Sequence, residues 1–120
     1  MRYLLFLVLL TVISCQSKYP NIELEPNIYL GKVKNGVPID FFVKCKNNGN
    51  TDVILHEVNV SCSCIQAIGK NPSKIQAHDS CVFHFQLLPE GMGYIERTLE
   101  LYFKGFPESS LIQIGARVTN

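Results

Sequence analysis

Past residue 21, apolar and polar side chains alternate with a period of two. Ile39, Phe41, Val43 and Cys45 share one phase, and Lys44 and Lys46 take the other. Cys81, Phe83, Phe85 and Leu87 repeat the pattern against Val82, His84 and Gln86. Leu99, Leu101 and Phe103 alternate with Glu100 and Lys104, and Ile112, Ile114, Ala116 and Val118 with Gln113, Arg117 and Thr119. This spacing predicts strands with one dry and one wet face, as an antiparallel sheet packed on a core requires. Between Val53 and Cys64 the phase slips: Val53 and Leu55 are in one register, Val58, Val60, Cys62 and Cys64 in the other. A β-bulge near His56-Glu57 reconciles them. Turn chemistry separates the runs. Asn47-Asn48-Gly49-Asn50 is the strongest such signal, joined by Asn35-Gly36, Asn71-Pro72, Pro89-Glu90-Gly91 and Phe106-Pro107-Glu108-Ser109. Gly91-Met92-Gly93 reads as a hairpin tip.

No helical period persists after the first residues. About seven short strands within roughly a hundred residues predict an all-β, immunoglobulin-like antiparallel sandwich, with a small barrel as the alternative. The chain has 120 residues, 47% of them hydrophobic and 18% charged. That suffices for one domain and one core, and is too apolar for disorder. The balance of 11 Lys and Arg against 10 Asp and Glu leaves no basic excess, so nucleic acid is not an expected partner.

The first residues differ in kind. Tyr3 to Ile13 is an almost unbroken apolar run behind Arg2. Eleven residues at about 1.5 Å each reach about half of a bilayer core of roughly 30 Å, which suits a signal peptide better than a spanning helix. Val12-Ile13-Ser14-Cys15 follows and resembles the bacterial lipobox. The resemblance implies that residues 1–14 are a lipoprotein signal peptide, removed on export. The Cys15 thiol then carries diacylglycerol, and two acyl chains anchor stably where a single chain is marginal. Residues 15–21 read as a tether and residues 22–120 as the sandwich. Residue 16 is Gln, not Asp; by the same resemblance this points to the outer membrane of a bacterial envelope. Asn59-Val60-Ser61 matches the N-glycosylation pattern, which a bacterial source makes irrelevant. Losing Arg2 with the signal leaves 10 basic and 10 acidic side chains.

A wider likeness covers roughly residues 25 to 118. Phe41-x-Val43-x-Cys45-x-Asn47-x-Gly49, then Val53-x-Leu55, then Val58-x-x-Ser61-Cys62-Ser63-Cys64 resemble the DUF1573 family of exported bacterial domains. Ile75, the strand through Phe83 and Phe85, and Gly93 before Leu99-x-Leu101 continue it. The family looks like a bacterial cousin of the ASH and major-sperm-protein group of Ig-like folds. Ser63 and Ile65 stand where it usually has Gly and Thr, and His78-Asp79 replaces its Pro-Gly turn. The likeness implies a fold and a compartment rather than an activity.

Setting Cys15 aside leaves Cys45, Cys62, Cys64 and Cys81, an even number in an exported domain. In an Ig-like sandwich the second and fifth strands are antiparallel neighbours. Cys45 closes one and Cys81 opens the other, both in the inward phase. A Cys45–Cys81 disulfide is therefore expected, closing a loop worth roughly 3–4 kcal/mol on the chain-entropy model. Cys62-x-Cys64 supports three readings. It is a structural pair, a strained redox pair, or a soft-metal chelate for Cu(I) or Zn. No basic residue lies close in sequence to stabilise a thiolate, and His56, His78 and His84 are at no recognisable ligand spacing. No resident metal or other cofactor is expected.

Little else suggests chemistry. Ser61 and Ser80 lie outside any nucleophile elbow. Glu96 and Glu100 share a strand face that looks solvated. Tyr94, Tyr102 and Phe106 could form an exposed apolar patch. The expectation is a non-catalytic envelope lipoprotein: a binding or assembly module, anchored to the membrane through its N-terminal lipid. It would contact an envelope protein by a sheet edge or end loops. A small-molecule ligand is not specified. The alternatives are a thiol-redox or soft-metal protein using Cys62 and Cys64, and a carbohydrate-binding module, which the lack of Trp disfavours.

Overall fold

The computed structural model describes residues 19–120. The expected signal peptide, Cys15 and the first part of the expected tether lie outside the described residues. Nine strands follow in chain order: β1 (Ile22–Leu24), β2 (Asn27–Lys34), β3 (Ile39–Asn47), β4 (Val53–Val60), β5 (Ile65–Ala67), β6 (Lys74–Ile75), β7 (Ser80–Leu87), β8 (Gly93–Phe103) and β9 (Ser110–Thr119). Among the described residues there is no helix. The strands form two sheets, β1-β3-β7-β5 and β2-β9-β8-β4-β6, packed as an Ig-like sandwich.

The alternation read from the sequence sets the packing. Phe41, Val43, Phe83, Phe85 and Leu87 of the first sheet are buried, as are Leu99, Leu101, Phe103, Ile112, Ile114 and Val118 of the second. Phe41 and Phe85 stack at 5.6 Å between ring centroids. Each such side chain removed from water contributes roughly 1.5–3 kcal/mol. The phase slip in β4 is a bulge: Leu55 pairs with Phe103 and Glu57 with Tyr102, so His56 is the extra residue. A second irregularity falls between Tyr29 and Lys32 of β2, where Gly31 takes a φ of +78°.

The structure has nine strands against the expected seven or so: six are eight residues or longer, and β1, β5 and β6 are two or three residues long, too short for periodicity to register. The connections also differ from expectation. Only β8 and β9 are successive strands of one sheet; every other link crosses from one sheet to the other. The Gly91-Met92-Gly93 segment is therefore not a hairpin tip. It carries the chain from β7 across to β8, with Gly91 and Gly93 at φ +97° and +84°.

One polar side chain lies in the core among the described residues. Asn47 is 1% exposed. Its Nδ2 donates to the carbonyls of Thr51 (2.9 Å) and Ile75 (3.1 Å), and its Oδ1 accepts the Gly49 N–H (2.9 Å). A Cβ at residue 49 would stand 3.2 Å from that Oδ1, so the Asn-x-Gly spacing suits a tight, internally bonded turn. Asp52 closes the same end of the sandwich by accepting the Ala77 N–H (2.9 Å) and pairing with Lys74 at 3.3 Å. These contacts hold its carboxyl below the usual range, the Ala77 bond contributing most.

Candidate functional site

Three regions carry the residues singled out by the sequence. The first is the link from β4 to β5. Here Cys62 and Cys64 are joined by a disulfide, with Cα atoms 5.2 Å apart. Both are half-buried and pack against the core. Ser61 ties the link to β8 twice, its N–H donating to the Thr98 carbonyl (3.0 Å) and its hydroxyl accepting the Thr98 N–H (2.9 Å). The Cys64 carbonyl accepts the Leu88 N–H (2.8 Å) as β5 begins. The disulfide thus sits in a segment held to both sheets. Neither sulfur is a free thiolate, so the soft-metal reading of this pair has no support in the geometry. Closing a three-residue loop removes little chain entropy, about 1.6 kcal/mol.

The second region is the far end of β7. Cys45 and Cys81 are direct partners in the β3–β7 ladder, the neighbours that the topology required. Both are nevertheless free thiols, Cys45 buried and Cys81 partly exposed. The expected Cys45–Cys81 disulfide is not formed, and hydrogen-bond parity gives the reason. The Asn47 N–H donates to the Asp79 carbonyl, an extension of the same ladder, so odd-numbered residues of β3 exchange their bonds with β7. Cys45 and Cys81 therefore occupy a hydrogen-bonded site, where Cα atoms stand about 5.5 Å apart and Cβ atoms are at their widest. A disulfide needs Cβ atoms about 3.5–4.5 Å apart. Burial first, and then the neighbouring Cys81, push the Cys45 thiol up to about 12. Burial, followed by the Asp79 charge, also raises Cys81. The two cysteine pairs lie at opposite ends of the sandwich. Leu88, beside Cys64, is seven residues along the strand direction from Cys81, about 24 Å at about 3.4 Å per residue.

The third region is the outer face and edge of the first sheet. A groove of about 690 Å³ lies where β1 meets β3, lined by residues 23–25 of β1 and its exit, 44–46 of β3 and 80–82 of β7, so that both free thiols, Cys45 and Cys81, belong to its lining. Next to it, Phe42 is 56% exposed and stacks on His84 at 4.6 Å, while His84 Nε2 lies 3.4 Å from Asp40. Asn71 clips the His84 backbone, accepting its N–H (2.7 Å) and donating to its carbonyl (3.1 Å). β1 covers β3 only from Cys45 to Asn47. Odd residues of β3 bond to β7, so the N–H and C=O of Asp40 and Phe42 point to an edge that no described strand covers. Sequence patterning could not find this edge, because it depends on where β1 departs for the other sheet.

The aromatic patch does not assemble. Tyr94 is 62% exposed and lies over Gly115, where a Cβ would be 2.8 Å from its hydroxyl. Tyr102 is eight residues along β8 and donates to Glu100 (2.8 Å), which raises its own ionisation. Phe106 packs against the core. Glu100 also accepts the Ser109 hydroxyl (3.1 Å), so it is engaged locally rather than paired with Glu96. His78 takes a φ of 62° in the turn before β7, its ring 3.1 Å from Asn50. Ser80 begins β7, and its N–H is held by Asp79 (2.8 Å). Among the described residues, no group of three or more His, Cys, Asp or Glu is arranged to hold a metal ion.

The family model described as "Protein of unknown function (DUF1573)" matches residues 22–118, nearly the whole described domain. The chain belongs to the DUF1573 family. Solved structures agree on the fold. A protein of unknown function from Porphyromonas gingivalis superposes with a TM-score of 0.69 at 16% identity, over 89% of this chain and 51% of that one. The ASH / PapD-like domain 7 of human CEP192 gives 0.64 at 14% identity, over 92% and 94%. The VesB protease of Vibrio cholerae gives 0.68 at 12% identity, over 81% of this chain and 32% of the protease. This DUF1573 chain thus spans about half of the Porphyromonas protein and a third of the protease. At these identities the likeness is one of fold. No curated protein matches the chain in sequence.

Proposed function

We propose that this DUF1573 protein is a non-catalytic binding or assembly module of the bacterial envelope, held at the outer membrane by a lipid on Cys15. The open edge of β3 carries the reading. Asp40 and Phe42 present backbone donors and acceptors along it, beside the exposed Phe42 ring. An extended segment of an envelope protein can add there as a further strand, gaining backbone hydrogen bonds from the edge and side-chain selectivity from Phe42 and the adjoining groove. The fold supports a module rather than an enzyme: it makes up nearly all of the CEP192 PapD-like domain and only a minor part of the VesB protease.

The test is crosslinking of the acylated protein in its native envelope, with Phe42→Pro as the probe. Proline removes an N–H that the β3–β7 ladder does not use and so blocks the edge while leaving the sandwich folded. Loss of the crosslinked partner with an unchanged thermal transition is the expected result. Undiminished capture by the folded variant, or crosslinks mapping only to the β4–β5 link, would refute strand addition at β3.

A further inference from the structure

Two free thiols face each other at one end of the sandwich in a protein whose other described cysteines are bonded. Cys45 and Cys81 are direct partners on neighbouring antiparallel strands and project from the same inward face. Cys81 is partly exposed and gives access from solvent; Cys45 lies beneath at 1% exposure. Their hydrogen-bonded register sets the Cβ atoms about 5.5 Å apart, too far for a disulfide. It is not too far for two sulfurs bridged by one ion. Two metal–thiolate bonds of about 2.3 Å, laid end to end, place sulfurs about 4.6 Å apart. Each Cβ–Sγ bond then has only to lean slightly inward. Thiolates select soft ions, and such ions need not demand a third or fourth ligand.

We propose that Cys45 and Cys81 form a two-coordinate site for a soft monovalent cation, Cu(I) being the type case. The ion enters as Cu(I) and stays Cu(I). Each thiol loses one proton to solvent, two Cu–S bonds form, and the bis-thiolate complex carries one negative charge. The site is distinct from the Cys62–Cys64 bridge, and its two thiols line the groove beside the β3 edge.

The test is anaerobic titration of Cu(I) into the full chain against a chromophoric Cu(I) chelator, with X-ray absorption on the loaded protein. One Cu(I) per chain with two sulfur neighbours is expected. The stoichiometry should fall to zero in Cys81→Ser, at a partly exposed position, and in Cys45→Ala, and should be unchanged in the Cys62→Ser/Cys64→Ser double variant. Circular dichroism identifies the folded variants, and Cys81→Ser alone suffices if Cys45→Ala unfolds. No bound Cu(I) in the folded wild-type protein would overturn the assignment, as would full binding by folded Cys81→Ser. So would a Cys45–Cys81 disulfide found by mass spectrometry in protein purified without added oxidant.

Discussion

Replacing Asn47 with Ala tests whether one buried amide holds the two sheets at this end of the sandwich. The change removes three hydrogen bonds, to the Thr51 and Ile75 carbonyls and from the Gly49 N–H. At about 1 kcal/mol net each they contribute about 3 kcal/mol. The bond to Ile75 is buried, so its carbonyl also loses its partner at a cost of about 1–3 kcal/mol. A total of about 4–6 kcal/mol is a large share of the roughly 5–15 kcal/mol that stabilises a domain. With a urea slope near 1.5 kcal/mol/M, the midpoint should fall by roughly 2.7–4 M. Asn47→Asp refines the test. It keeps the acceptor for Gly49 but turns a carboxyl toward two carbonyl oxygens, which favours its protonated form in the folded state. A raised folded-state pKa gives stability that is present below the unfolded value, roughly 3.9, and lost as pH rises. The Asp variant should therefore be closest to wild type in acid and weakest at neutral pH. A loss below 1 kcal/mol in the Ala variant, at an unchanged slope, would refute this account of the Asn-x-Gly element.

The thiols give two further tests. Cys45 is raised from 9.0 to about 12, so at pH 8 it holds roughly a thousandth of the thiolate of an unperturbed cysteine; mass spectrometry after brief alkylation should find it unmodified until the protein is unfolded. The same shift makes stability complete below pH 9 and lost as pH rises toward 12, by up to tenfold in the folding equilibrium per pH unit; chemical denaturation across that range should show a flatter profile for Cys45→Val. His78→Gly relieves a φ of 62° and gives up one exposed contact to Asn50, so the stability read from chemical denaturation should stay level or rise by up to about 1 kcal/mol. Gly115→Ala places a Cβ against the end of the Tyr94 side chain, which can swing outward; stability should stay within about 1 kcal/mol of wild type while the Tyr94 ring resonances move in NMR spectra.

Much of this domain was legible without coordinates. Phe41, Val43, Phe83, Phe85, Leu99, Leu101, Ile112 and Ile114 are all buried in the phase their alternation predicts. The bulge in β4 falls at the slip between Leu55 and Val58. Strand periodicity survives in a sequence because a residue's face depends only on its own strand. The same locality explains the failures. The turn residues Gly91-Met92-Gly93 mark where the chain reverses but not which sheet it enters next. Tyr94, Tyr102 and Phe106 look clustered in sequence, yet eight residues along one strand and a turn into the core keep them apart.

The cysteines divide the same way. The sequence alone places Cys45 and Cys81 on neighbouring strands and in the inward phase, because order and alternation suffice for that. Whether facing thiols can bond depends on whether their strands exchange hydrogen bonds at that pair. That parity belongs to the ladder, and only the tertiary structure decided it. The exposed edge of β3 has the same origin: β1 leaves for the opposite sheet after Leu24, and no local pattern in Asp40 to Lys44 records the departure of a strand that precedes it in the chain.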